Sequence, residues 1–232
     1  MWKIFEHYKK KIRILWYSRC MTKFNAILFD LDGTLTDSGL GITKSAAYAL
    51  DTLQIDYTGK DLSIFIGPPL RETFLKFGIQ EKDVDQAISI YRSRYTTIGK
   101  FENMPYEGIE ELLIKLNDLG YQLFVATSKP EGVAKEILAH FHLDQYFKEI
   151  AGASLDASRE SKSAVISYLL EKYPSKNPIM IGDTVYDVIG SKNHHIPCIG
   201  VSWGYGNVQD MIDAGAISIV DTIDDLFHIF EI

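Results

Sequence analysis

Cysteine is scarce in this chain of 232 residues: there are two, Cys20 and Cys198, far apart in sequence. A disulfide framework needs several cysteines at regular spacing, so the fold is not expected to rest on cross-links and each thiol reads as inert. No apolar run approaches the roughly 20 residues that a helix needs to span a bilayer. The first residues lack the long apolar centre and small-residue cleavage site of a secretory signal. Internal repeats and low-complexity stretches are missing too. The six histidines show no metal-ligand spacing, and His194-His195 reads as a helix end. These absences lead to the expectation of a cytoplasmic protein with no membrane span.

What is present is an ordinary globular composition, 46% apolar, in a chain long enough for a core domain and a smaller second unit. Charge is unevenly spread. Residues 1–23 hold Lys3, Lys9, Lys10, Lys11, Arg13, Arg19 and Lys23 against Glu6 alone, a net of +6 that leaves −13 on the rest of a chain whose total is −7. With Trp2, Phe5, Trp16 and Tyr17 this basic arm could lie on an anionic membrane surface. The plainer reading, an upstream extension with Met21-Thr22-Lys23-Phe24 resembling an ordinary start, is preferred. The acidic remainder argues against a nucleic acid polymer as partner.

The richest stretch is Phe29-Asp30-Leu31-Asp32-Gly33-Thr34-Leu35-Thr36-Asp37-Ser38. It follows an apolar run, Phe24 to Phe29, that reads as a buried strand. Positions i and i+2 of an extended chain point the same way, so Asp30 and Asp32 should project together from the strand's carboxyl end, where Gly33 permits a sharp turn. Two close carboxylates call for a metal ion or a shared proton. A calcium loop counted from Asp30 would need a Glu at its twelfth position; Gly41 stands there, and the loop is too poor in acids for that cage.

Three further elements follow in order. Tyr121-Gln122-Leu123-Phe124-Val125-Ala126-Thr127-Ser128-Lys129-Pro130 is an apolar strand ending in hydroxyls, with Pro130 placed to begin a helix; Thr127 or Ser128 could equally serve as a helix N-cap. Arg159-Glu160-Ser161-Lys162 opens an amphipathic helix through Tyr173, and a lysine at such a position is ordinarily solvated. Pro178-Ile179-Met180-Ile181-Gly182-Asp183-Thr184-Val185-Tyr186-Asp187 repeats the strand-end carboxylate of the first stretch, with a second acid four residues on.

Taken together, these four stretches resemble the motifs of the haloacid dehalogenase superfamily, and the resemblance covers residues 24–232. It implies that Asp30 is a nucleophile, Asp32 a general acid/base, Thr127 the hydroxyl that binds the transferring phosphoryl group, and Lys162 the lysine that steadies both. It implies a magnesium ion held by Asp30, the backbone carbonyl of Asp32, Asp183 and waters, with Asp187 beside them. Gly33, Ser128 and Arg71 are the expected substrate contacts.

Strands are expected near 24–30, 121–127, 147–152, 179–182, 198–202 and 217–220, with helices near 107–118, 131–141, 160–173 and 185–194. This alternation predicts an α/β fold, a Rossmann-like parallel sheet with helices on both faces. Ligands of such sheets sit outside the carboxyl ends of the strands. Residues 37–103 break the alternation: Leu40–Leu53, Leu70–Phe77 and Val84–Ile98 read as helices, with no convincing strand. The resemblance makes this an inserted all-helical cap, between core segments 24–36 and 104–232. Gly67-Pro68-Pro69-Leu70-Arg71 would set Arg71 in the first turn of a cap helix. There it would contact a substrate anion or, on the plainer reading, form a surface salt bridge.

The activity implied is that of a magnesium-dependent phosphatase acting on a small phosphorylated metabolite, of the phosphoglycolate or nucleoside 5′-monophosphate type, through an aspartyl-phosphate. The state expected is monomer or homodimer. A sugar phosphomutase of the β-phosphoglucomutase type would need a second phosphate site in the cap, and no clear basic cluster for one stands there beyond Arg71, Arg92 and Arg94. Asp32 argues against a dehalogenase, and four intact motifs argue against a catalytically dead binding protein.

Overall fold

In the computed structural model, which describes residues 24–154, 159–175 and 177–232, the apolar runs become the strands of one parallel sheet. These are β1 (Ala26–Phe29), β4 (Gln122–Pro130), β5 (Glu149–Ala153), β6 (Pro178–Gly182), β7 (Cys198–Val201) and β8 (Ser218–Val220), in spatial order β5-β4-β1-β6-β7-β8. Strands buried on both faces need continuous apolar sequence, and the alternation of side chains sorts it into two layers. Ile27 and Phe29, Leu123 and Val125, and Ile179 and Ile181 enter one apolar cluster, whereas Ala26 and Leu28, Phe124 and Ala126, and Met180 enter the other. The first face is covered by α4 (Ile109–Asp118), α5 (Glu131–His140) and α9 (Ile223–Ile229), and the second by α6 (Lys162–Lys172), α7 (Val185–Lys192) and α8 (Val208–Ala214). Each large side chain so buried contributes about 1.5–3 kcal/mol.

The sheet order decides where the chemistry falls. β1 lies between β4 and β6, paired Phe29 to Val125 on one side and Phe29 to Ile181 on the other. Asp30, Thr127 and Asp183 therefore come together at three adjacent carboxyl ends.

A two-stranded antiparallel ladder, β2 (Thr36–Asp37) against β3 (Met104–Pro105), carries the chain out of the core and back at one place. Between them lie α1 (Gly39–Thr52), α2 (Leu70–Phe77) and α3 (Glu81–Tyr95). This helical insertion has its own core, in which Ile42, Leu50, Phe65, Phe74, Val84 and Tyr91 are buried. The short ladder escaped the sequence reading because two residues carry no periodicity; α8 and α9, seven residues each, were missed for the same reason. β4 runs three residues past its expected end at 127, pairing Pro130 with Ala153. Pro130 caps α5 from an extended conformation instead of opening it. No described helix is long and apolar enough to cross a membrane. The basic arm over residues 1–23, Cys20 included, lies outside the described residues; Cys198 is a buried free thiol.

Candidate active site

Directly after β1, Asp30 donates its backbone N–H to the carbonyl of Ile181 at 2.9 Å, which holds it against the end of β6. Its carboxylate is buried and lies 2.6 Å from the Lys162 ammonium. Lys162 opens α6, yet it is buried rather than solvated: Nζ donates to the Ala126 carbonyl at 2.9 Å and stands 2.8 Å from Asp187. Burial works against that ammonium, but Asp187 and Asp30 more than offset it, so its pKa lies above the ordinary lysine value. Burial raises the Asp30 carboxyl to about 6, against the pull of Lys162 and with the push of Asp187.

Asp183 is fully buried at the end of β6. Its Oδ1 accepts from the Thr34 hydroxyl at 3.2 Å and its Oδ2 from the Tyr205 N–H at 2.8 Å. Desolvation, with Asp187 and Asp30 adding to it, holds this carboxyl well above the usual range. Asp187 closes a capping box at the start of α7. Its Oδ2 accepts from Thr184 N and Oγ1 at 2.9 and 2.8 Å, while Oδ1 faces Lys162. Asp187 is thus spoken for through both oxygens.

Oxygens of Asp30, Asp183 and Asp187 lie within 4.8 Å of one another, the one such acidic group among the described residues. Gly33 makes this packing possible. Its φ of +82° suits glycine, and a Cβ there would stand 2.2 Å from Asp183 Oδ2. The Asp32 carboxylate lies apart from the group, paired with Lys129 at 2.6 Å. Four carboxylates are thus faced by two buried lysines. That surplus of negative charge, in a cluster of hard oxygen donors, suits a small divalent cation such as magnesium.

Thr127 is buried at the end of β4, where its hydroxyl accepts from the Lys129 N–H at 3.3 Å, so neither Thr127 nor Ser128 caps a helix. Ser128 is exposed, because the strand alternation that turns Thr127 and Lys129 inward turns Ser128 out. Arg71 is held apart from this constellation. Its exposed guanidinium meets Glu81 at 2.6 Å and also pairs with Asp85, joining α2 to α3 as a surface salt bridge does.

Lys129 joins the site although no sequence motif marks it. It is buried and donates to both Asp32 Oδ2 and the Tyr95 hydroxyl, each at 2.6 Å. Burial disfavours its charge, but Asp32 and Tyr95 outweigh that and raise its pKa above the usual lysine value. The alternation within β4 was the signal that could have found it, since a lysine two residues after a buried strand-end threonine must share that face. Tyr95 and Tyr205 come from the insertion and from a loop after β7, and no local pattern announces them.

The family of haloacid dehalogenase-like hydrolases matches residues 27–201. A 5′-nucleotidase of Pseudomonas aeruginosa is 42% identical over 193 residues, covering 82% of this chain and 87% of that one. The tyrosine-protein kinase PtkA of Mycobacterium tuberculosis is 41% identical over 206 residues, covering 86% of this chain and 70% of that protein. Among solved structures, a predicted phosphatase from Clostridium acetobutylicum superimposes with a TM-score of 0.83 at 46% identity, covering 90% of this chain and 99% of that one. The fold is of the α/β class, with acids at the carboxyl ends of a parallel sheet, and the chain belongs to the haloacid dehalogenase-like hydrolases. Within them it is a phosphatase, a phosphoric monoester hydrolase.

Proposed function

We propose that the protein hydrolyses a small phosphate monoester in a magnesium-dependent reaction through an aspartyl-phosphate on Asp30. A nucleoside 5′-monophosphate is the first candidate and phosphoglycolate the second. The observation that carries the reading is the pairing of two carboxylates, the buried Asp30 and the half-buried Asp32, each with a buried lysine, beside the further acid Asp183.

Asp30 and Asp183 are the carboxylates that would hold the ion, with the Asp32 carbonyl, while Asp187 keeps Lys162 in place. Magnesium, when bound, supplies positive charge that offsets the repulsion between a phosphate anion and these acids. Asp30 attacks phosphorus and the bond to the ester oxygen breaks. Lys162 and the Thr127 hydroxyl hold the charge on the phosphoryl oxygens. Asp32, held by Lys129, gives a proton to the leaving oxygen. Asp32 then takes a proton from the water that hydrolyses the acyl phosphate. The helical insertion acts as a cap that excludes bulk water.

The test is phosphate release from a panel of nucleoside monophosphates, phosphoglycolate and sugar phosphates, with magnesium and with chelator. Hydrolysis that stops in chelator and returns with magnesium is expected; no release from any ester would overturn the proposal. The likeness to a tyrosine kinase favours a second activity, transfer of the terminal phosphoryl group of a nucleoside triphosphate to a protein hydroxyl with release of the diphosphate, and phosphorylated protein formed in the presence of that donor would reveal it.

A further inference from the structure

The loop after β7 links the two units of the fold. Trp203 Nε1 donates to the Thr34 carbonyl at 3.3 Å, and its ring packs on the core's apolar cluster. Two residues on, the Tyr205 ring packs on the cluster of the helical insertion. The Tyr205 backbone N–H donates to Asp183 Oδ2 at 2.8 Å. Its hydroxyl accepts from the Gly39 N–H at 2.7 Å and donates to Asp37 Oδ1. Asp37 ends β2 and Gly39 opens α1, so the hydroxyl sits where the chain enters the insertion. Burial, together with that bond to Asp37, raises the phenol's pKa, which keeps it a neutral donor. The backbone between the two contacts has little slack. A Cβ on Gly204 would lie 2.3 Å from Asp183 Cβ and 2.5 Å from the Gly33 carbonyl oxygen.

We infer that Tyr205 is a positioning residue that couples the entry hinge of the insertion to Asp183. An ion held at Asp183 steadies the hinge through Tyr205, and a settled hinge steadies Asp183, as reciprocity of coupled sites requires. The inference rests on the magnesium site proposed above and adds to it a link to the helical insertion.

Amide hydrogen exchange over residues 37–41, on the full chain with and without magnesium ions, tests it, with calorimetry reporting ion binding. In the wild type, magnesium is expected to slow exchange at the hinge. Tyr205→Phe keeps the ring and the backbone N–H but loses the hydroxyl. It should speed hinge exchange about fivefold without the ion, as the loss of one ordinary hydrogen bond does. It should still bind magnesium, but binding should no longer slow the hinge. Asp37→Ala removes one of the two bonds at the hydroxyl and leaves the one from Gly39, so it should weaken the protection by magnesium without abolishing it. Equal protection by magnesium in wild type and Tyr205→Phe overturns the inference, as does a wild-type hinge indifferent to magnesium. Exchange needs no turnover: a protein that hydrolyses no ester but shows the coupled hinge loses the functional reading alone, and an active enzyme with an uncoupled hinge loses this one alone.

Discussion

Asp30 carries two burdens that can be measured apart. Its carboxyl is raised to about 6, chiefly by burial and against the pull of Lys162. A cation that binds the carboxylate must displace that proton. As pH falls below about 6 the magnesium concentration for half-saturation should therefore rise by roughly tenfold or more per pH unit, because Asp183, also held above the usual range, must lose its proton too. Calorimetry across that range checks this, and a flat profile would remove Asp30 from the ligands. The same raised value has a consequence for stability. Between the usual carboxyl value of 3.8 and about 6 the folded protein holds a proton that the unfolded chain has released. Metal-free stability from this group is therefore fully present at low pH and is lost as pH rises through that window. Asp30→Asn removes a charge that is costly at neutral pH. It should stabilise the metal-free protein by on the order of 1–3 kcal/mol in denaturant melts while abolishing nearly all turnover. A variant that keeps wild-type turnover would rule out the aspartyl-phosphate.

The elements explain which residues were legible. The apolar runs of β1, β4 and β6 give way to Asp30, Thr127 and Asp183, and the parallel order puts those places side by side. Asp30, Thr127 and Asp183 could thus be placed from the sequence, as could the helical character of residues 40–98. Strand alternation was used for Asp30 and Asp32 but not for Thr127 and Lys129, where it would have found the second lysine. Tyr95 reaches the site from the end of α3, 34 residues before Lys129, and Tyr205 from 22 residues beyond Asp183. Such contacts depend on how the units pack, which no local period records. Arg71 shows the converse. A cation in the first turn of a helix near Gly67 suggested an anion site, but α3 offers Glu81 and Asp85 to the same guanidinium. Exposed pairs of this kind are worth about 0–1 kcal/mol. Arg71→Ala should therefore leave kcat/KM within about twofold for both a nucleotide and p-nitrophenyl phosphate. A selective loss with the nucleotide would restore Arg71 as a substrate contact.

At the scale of the whole molecule, insertion and core meet through polar bonds that involve the chemical groups themselves. Lys129 donates to Tyr95 of the insertion and to Asp32 of the core, so one ammonium both joins the two units and holds the carboxylate proposed as the acid. Lys129→Met keeps much of the side chain's bulk but leaves Asp32 without its buried partner. Breaking such a pair from one side costs about 3 kcal/mol, which a denaturant melt would detect. The kinetic expectation is sharper. An ester with a poor leaving group, such as a nucleoside monophosphate, depends on the proton from Asp32, whereas p-nitrophenyl phosphate expels a stable anion and needs it far less. If Lys129 orients Asp32, its loss should lower kcat for the nucleotide by about tenfold to a hundredfold more than for the aryl ester. Tyr95→Phe should shift the same ratio in the same direction by a smaller factor, because it loosens Lys129 without removing it. Equal slowing of both esters by Lys129→Met would mean that the lysine serves the phosphoryl group common to them, and that Asp32 finds its position without it.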